Sequence, residues 1–296
     1  MPAVLIAKAP ETWRLLHQLA DAAEPEIRAA FLQAVAETVN GIVLPQVTAA
    51  LERGDLGAAE ALIPWDAVGA ETLRQALPSA LAGLVTEAAA VAAPAIGVSV
   101  AVSFDLVNPR AVAWAAAHAA ALVTQVSEET RAAIRAVIGR AFTDGVPPRE
   151  AAREIRALVG LTERDAGAVQ NLRVSLLEAG RSEADVARLA QRYSDRLLNA
   201  RGLVIARNET LAAANHGQRE LWTTAREQGL IDGTEDEREW LVAADERLCP
   251  LCKPMKGRRA PLDGYYEHPT LGQVKGPLLH VQCRCSERLV PVRATT

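Results

Sequence analysis

The chain has 296 residues, enough for two ordinary domains with apolar cores. Half of its residues are hydrophobic yet only 4% are aromatic, a balance carried by alanine that excludes a disordered or collagen-like chain and favours helices packed closely through small side chains. The net charge of −4 is uneven: residues 1–107 hold 5 basic and 12 acidic groups, whereas 249–296 hold 8 and 3, so the tail is the basic end of an acidic protein. Such a tail can meet nucleic acid or an acidic protein surface, or can be a solvated loop beside a metal site.

The N-terminus lacks the basic-then-apolar pattern of a signal peptide, because Pro10 and charged residues follow at once, and the chain is expected to stay in the cytoplasm where it is made. Pro25 is expected to open a helix carrying Ile27, Phe31, Val35 and Val39 at helical spacing, with a break near Gly41 and Pro45. A second amphipathic helix is expected over Ala70 to Ala92. The stretch from Ala88 to Phe104 lacks charge but contains Pro94, Gly97 and two serines, so its drive into lipid is weak and no membrane partner is expected. From Ile96 to Phe104 apolar residues alternate with period two, which predicts a strand or extended arm.

Asn108-Pro109 marks a boundary, with Asn as the cap of a helix beginning at the proline. Ser127 followed by two glutamates predicts a fresh helix start, ended by Gly145 and Pro147-Pro148. Short helices follow over Arg149 to Val159 and from the Thr162 cap to Gly180. Another opens at Ser182 and extends toward Gly229 with a break near Gly202. Beyond Gly229 glycines and prolines leave room only for short pieces, among them strands at Trp240-Leu241-Val242 and Leu289-Val290-Pro291-Val292. The expected architecture is mainly α: an N-terminal helical or arm region (1–107), an α-helical bundle (108–229), and a small α+β zinc-binding lobe (230–296).

All four cysteines lie near the end, in Cys249-Pro-Leu-Cys252 and in His280-Val-Gln-Cys283-Arg-Cys285. A C-x2-C knuckle points two thiolates at one ion, and a second ligand pair some 30 residues later completes a tetrahedron; zinc suits such soft donors. Five candidates compete for four places. Either all four cysteines bind, or His280 replaces one of Cys283 and Cys285. Free buried thiols or a redox pair are the bland alternatives. Four filled positions leave no place for a reactive water, so the ion is expected to be structural and no catalytic residue is expected. Arg207, Glu209, Asn215 and the Asp245-Glu246-Arg247 run read singly as surface pairs or caps. Grouped with His268 and His280 they would instead make a metal-dependent nuclease site.

Arg207-Asn208-Glu209, Asn215-His216-Gly217, Trp240, Asp245 through Cys252, Gly257, Pro261-Leu262 and His280 through Cys285 together resemble the phage head morphogenesis family, the Mu F-like minor head proteins, over about residues 130–290. Phe104 through Ala111 also resembles the longer minor head proteins of tailed phages. The sequence departs from the family at Asn208, where Thr is frequent, and at Val281, where Pro commonly follows the histidine. The resemblance implies a minor capsid component without turnover, encoded beside the portal protein. It would contact the portal or major capsid protein, with residues 1–107 docking there, and reside in the virion at the capsid interior or portal vertex. A DNA contact through the basic tail is compatible with it. The alternative is a zinc-stabilised nuclease of the His-metal kind acting on phage DNA. An ADP-ribosyltransferase or toxin module ranks last, since no segment is spare for it.

Overall fold

The computed structural model describes residues 9–96, 109–231, 236–243 and 248–290. Among the described residues as far as Glu227 the elements are chiefly helices: α1 (Ala9–Gly41), α2 (Leu44–Glu52), α3 (Leu56–Ala61), α4 (Ala70–Ala92), α5 (Pro109–Thr143), α6 (Pro148–Leu158), α7 (Glu163–Glu178) and α8 (Glu183–Glu227). Short strands follow: β1 (Glu237–Leu241), β2 (Arg259–Pro261), β3 (Tyr266–His268), β4 (Gly272–Val274) and β5 (Ser286–Val290). The fold is therefore mainly α with a small C-terminal strand region that carries the Cys/His cluster.

Local chemistry places many of the boundaries. The Thr162 hydroxyl accepts from the Asp165 amide at 3.2 Å and the Ser182 hydroxyl from the Asp185 amide at 3.2 Å, side-chain caps that satisfy donors the first helical turn leaves orphaned. Pro45 stands in the first turn of α2 and Pro148 in that of α6, where a missing N–H costs nothing. Three expected boundaries are overturned. α1 runs through Pro25, and Leu16, Ala20, Ile27, Phe31 and Val35 along it are all buried; that burial outweighs the proline's lost hydrogen bond. α5 passes Ser127 without interruption, and the serine hydroxyl instead accepts from the Trp65 indole at 2.8 Å. α8 is continuous at Gly202, where a Cβ would stand 3.1 Å from the Phe31 ring; the glycine serves close packing and does not end the helix. The alternation expected over Ile96 to Phe104 lies, apart from Ile96, outside the described residues, and so do Pro291 and Val292.

Contacts gather the residues into two compact units, one of 28–77 with 117–203, the other of 1–27, 78–116 and 204–296. In the first, Trp65, Ile155, Val159, Leu161 and Val169 are buried, and Arg201, 7% exposed, donates to Glu129 at 2.7 Å. Among the described residues one helical run, Leu56–Ala92, is long and apolar enough to cross a membrane; its Leu73, Leu77, Leu81, Leu84 and Val85 are buried within the protein.

The second unit holds the lobe. β1 is central in an antiparallel sheet of order β2-β1-β5, with Trp240 opposite Glu287 and Arg238 opposite Leu289, and β3 and β4 form a separate hairpin. The alternation along β1 buries Arg238 and Trp240 on one face. Trp240, Cys252, Met255, Ala260, Tyr266, Cys283 and Cys285 make one small core. Where the lobe meets helices, Leu262 and Leu289 pack with Ala89, Ala92, Leu221 and Trp222.

Candidate metal centre

The centre is assembled by two tight turns. In the first, the Cys252 amide donates to the Cys249 sulfur at 3.3 Å and the Lys253 amide to the Cys249 carbonyl at 3.0 Å, which turns both knuckle sulfurs to one side. In the second, the Cys283 amide donates to the His280 carbonyl at 3.1 Å, closing a β-turn whose third residue, Gln282, has φ 64°. That is the left-handed position a type II turn requires and glycine or asparagine usually fills. Here Asn208 of α8 accepts from the Gln282 amide at 2.7 Å, an outside contact that fixes the turn.

These turns bring all five expected donors together. Cys249, Cys252 and His280 form one trio and Cys252, Cys283 and Cys285 another, each with its ligand atoms within 4.8 Å of one another. The His280 Nε2 lies 2.9 Å from the Cys249 sulfur and 3.1 Å from that of Cys252, and the Cys252 and Cys283 sulfurs are 3.6 Å apart. His280 Nδ1 stands 2.8 Å from the Val281 carbonyl. A carbonyl only accepts, so the proton is on Nδ1 and the Nε2 lone pair faces the sulfurs, the arrangement of a histidine ligand oriented by its other nitrogen.

The electrostatics of the thiols agree with a site for a cation. Burial above all pushes the Cys252 thiol up to about 12. Cys283 is lowered to about 5, first by the hydrogen bond from Cys285 and then by backbone amides of Cys285 and Leu279. Cys285 is raised, first by its contact with Cys283 and then by burial. So many sulfurs at this spacing cannot all be anionic without a positive ion among them, and a soft divalent ion would let several ionise together. Cys249, Cys252, His280, Cys283 and Cys285 thus form a cluster able to hold a metal ion, and the donor set is of the kind zinc takes.

α8 holds this region from one side. Asn208, Asn215, Arg219 and Arg226 are separated from the first by about two, three and five helical turns, so they form one stripe. Each touches the lobe. Asn215, 3% exposed, donates to the Cys285 carbonyl at 3.4 Å and accepts from the Ser286 hydroxyl at 2.7 Å. Arg219 donates to Glu287 and to the Pro277 carbonyl, and Arg226 pairs with Asp263. Glu287 is also paired with Arg238 at 2.8 Å, and Arg238 donates further to the carbonyls of Lys275 at 3.0 Å and Gly264 at 2.7 Å. One buried guanidinium therefore ties two loops to β5. Desolvation first, then the Glu287 charge, raises the Tyr266 phenol, which meets the Trp240 ring edge-on at 5.1 Å.

Other residues singled out in the sequence lie elsewhere or serve differently. Arg207 is 3.5 Å from Glu24, and His216 stacks on Trp114 at 4.3 Å. His268, 4% exposed, has both ring nitrogens committed: Nε2 donates to the Leu251 carbonyl at 2.8 Å, while Nδ1 accepts from the amides of Thr270 and Leu271, each at 3.1 Å. Asp245, Glu246 and Arg247 lie outside the described residues. Arg219, Arg238 and Glu287 carried no sequence signal as single charges; the spacing of Arg219 from Asn215 along the helix is what would have pointed to the first. Compared with protein-family models, with curated proteins and with solved structures, the chain matches none.

Proposed function

We propose that the chain is a structural minor head protein of the phage head morphogenesis kind, acting in procapsid assembly at or near the portal, with one structural zinc ion in the Cys/His cluster. The observation that carries the reading is the convergence of residues far apart in sequence: Asn208 and Asn215 of α8 grip the His280–Ser286 segment that supplies three of the five donors. Asn208, Asn215 and the segment from His280 through Cys285, which are part of the family resemblance, thereby serve one purpose, docking a metal-stapled lobe on a helix. A lobe with a core this small needs such a staple. With four donors filled the ion has no open position for substrate. The nuclease reading gains nothing from His268, whose ring is used as a strut between two loops.

The partners are the portal protein, the major capsid protein or both, and the basic tail is available to DNA. Co-expression with portal and major capsid proteins of a tailed phage tests the reading. The chain is expected in purified procapsids at low copy number, and particles that assemble fully without incorporating it would refute the proposal. Incubation of the purified protein with DNA and divalent metals is expected to leave the DNA intact.

A further inference from the structure

The cations of the lobe divide into two kinds. Every ion pair between described residues is made by an arginine, and the lobe's carboxylates are taken up in that way, Glu239 by Arg259 and Arg288, Glu287 by Arg219 and Arg238. Lys253, Lys256 and Arg258 are exposed and, among the described residues, enter no ion pair. We infer that these three form a ridge for the phosphate backbone of duplex DNA, each meeting one phosphate and none meeting a base.

The ridge is the exit of the Cys249–Cys252 turn, which continues as a single 3-10 turn, Lys253–Met255. Its backbone is held at both ends. The Lys253 amide donates to the Cys249 carbonyl at 3.0 Å; the Gly257 amide donates to the Trp240 carbonyl at 3.0 Å, and the Arg258 carbonyl accepts from the Trp240 amide at 2.8 Å. Met255 between them is fully buried. Residues three apart on a 3-10 turn lie above one another, so Lys253 and Lys256 leave the same side about 6 Å apart. Arg258 follows after Gly257, whose φ of 70° turns the chain. With the backbone fixed, only side chains need ordering when an anion arrives, which lowers the cost of binding.

The composition of the ridge selects DNA over an acidic protein. The planar fork of arginine fits carboxylates, and this chain uses arginine for its carboxylates throughout; two of the three ridge cations are instead lysines, point charges suited to phosphate. Residues 248–290 carry 7 basic and 3 acidic groups, and between Cys249 and Leu262 there is no acidic residue to oppose the field. There is no aromatic residue in that segment either. Unpaired bases would find nothing to stack on, so the fit is to a duplex and not to single strands. Contacts to phosphate alone carry no sequence information.

Fluorescence anisotropy of the full-length protein with a labelled duplex tests this through salt. Three phosphate contacts give a slope of log affinity against log salt of about −2.7, so going from about 50 to 200 mM salt should weaken binding roughly 40-fold. Lys253→Gln, Lys256→Gln and Arg258→Gln should each make the slope shallower by about 0.9, and the triple variant should lose nearly all salt-dependent binding. These side chains are exposed, so melting temperatures should not change. Lys275→Gln, at an exposed lysine beyond β4, is the control and should leave the slope as it is. Duplexes of unrelated sequence should bind alike. No binding at 50 mM salt, an undiminished slope in the triple variant, or an equal change with Lys275→Gln would overturn the ridge. Poly-glutamate displacing the duplex at equal charge would assign the surface to an acidic protein and overturn it as well. The inference deepens the DNA contact of the proposed function and rests on that reading for the DNA it meets; a chain that enters procapsids but binds no duplex would sink the ridge alone.

Discussion

Gly217 offers the sharpest test of how the lobe's supporting helix is packed. It lies in the middle of α8, where replacement by alanine ordinarily stabilises by about 0.8–1.0 kcal/mol through helix propensity alone. A Cβ at this position would fall well inside contact distance of the Val85 carbonyl oxygen and stand 2.9 Å from the Ala88 Cβ. Both neighbours are on α4, and neither is the end of a flexible side chain. Ordinary carbon contacts lie at about 3.5–4.0 Å, so α8 and α4 would have to part by roughly 1 Å, loosening contacts along their length. Overpacking of that kind costs about 1–3 kcal/mol or more. With a clash against backbone putting the cost at the upper end, about 3 kcal/mol, less the gain of about 1 kcal/mol, the expected net effect of Gly217→Ala is a loss of about 2 kcal/mol, a fall of roughly 4–8 °C in melting temperature at about 2–4 °C per kcal/mol. Gly83 and Gly167 are the controls, helical positions at which a Cβ meets nothing within 4 Å; alanine there should raise stability by up to about 1 kcal/mol. Differential scanning calorimetry of the three variants decides the matter. Equal stabilisation of Gly217→Ala and the controls would show that the two helices do not approach as described.

Three further outcomes are expected. Glu287→Ala leaves Arg238, whose side chain is 3% exposed, without its carboxylate; a loss of about 3–5 kcal/mol in denaturant unfolding of the lobe is expected, and a loss below about 1 kcal/mol would contradict the buried pairing. Removal of metal by a strong chelator under reducing conditions should abolish amide-exchange protection of β1 and β5 while sparing α6 and α7, and unchanged protection of β1 would refute a structural ion. Burial, working against Arg173, raises the Glu154 carboxyl above its ordinary 4.5. Its contribution is full below that value and is lost as pH rises through the raised one, where the folded state holds a proton the unfolded chain has released. Glu154→Gln should therefore gain stability relative to wild type at pH 7 but not at pH 4, as read by urea midpoints, and a pH-independent difference would contradict the shift.

Much of the helical layout was legible because its signals are local. Thr162 and Ser182 satisfy the amides that follow them, and the prolines at 45, 109 and 148 stand where a first turn tolerates them. The readings that failed did so where a distant partner decides. Ser127 has the chemistry of a cap but meets the Trp65 indole, 62 residues away, and Gly202 has the chemistry of a breaker but makes room for Phe31. Pro25 is carried inside α1 by the burial of residues on both sides of it. At the metal centre the donor types and their spacing announced themselves. The side of His280 that faces the sulfurs was not legible, because it follows from the Val281 carbonyl fixing the ring proton. The roles of Asn208 and Asn215 were equally hidden, since their partners are 74 and 70 residues further on.

That separation bears on how the lobe and helix depend on each other. Asn208 bonds the Gln282 amide at the left-handed residue of the ligand turn, a conformation that costs about 1–2 kcal/mol for a residue other than glycine. A single hydrogen bond to that amide returns about 1 kcal/mol, so helix contact and turn conformation are close to balanced without the ion. A metal ion held by donors on that turn would add a much larger driving term. Such an ion would select the turn, and the turn in that form presents the Gln282 amide to Asn208. By the same coupling a helix that presents Asn208 and Asn215 in one stripe would raise the affinity of the lobe for such an ion, since both contacts are made to the ligand segment in its folded form. Asn208→Ala should accordingly weaken metal affinity although Asn208 touches no ligand atom, and an unchanged affinity in a competition titration with a chromogenic chelator would show the turn to be set by the ion alone.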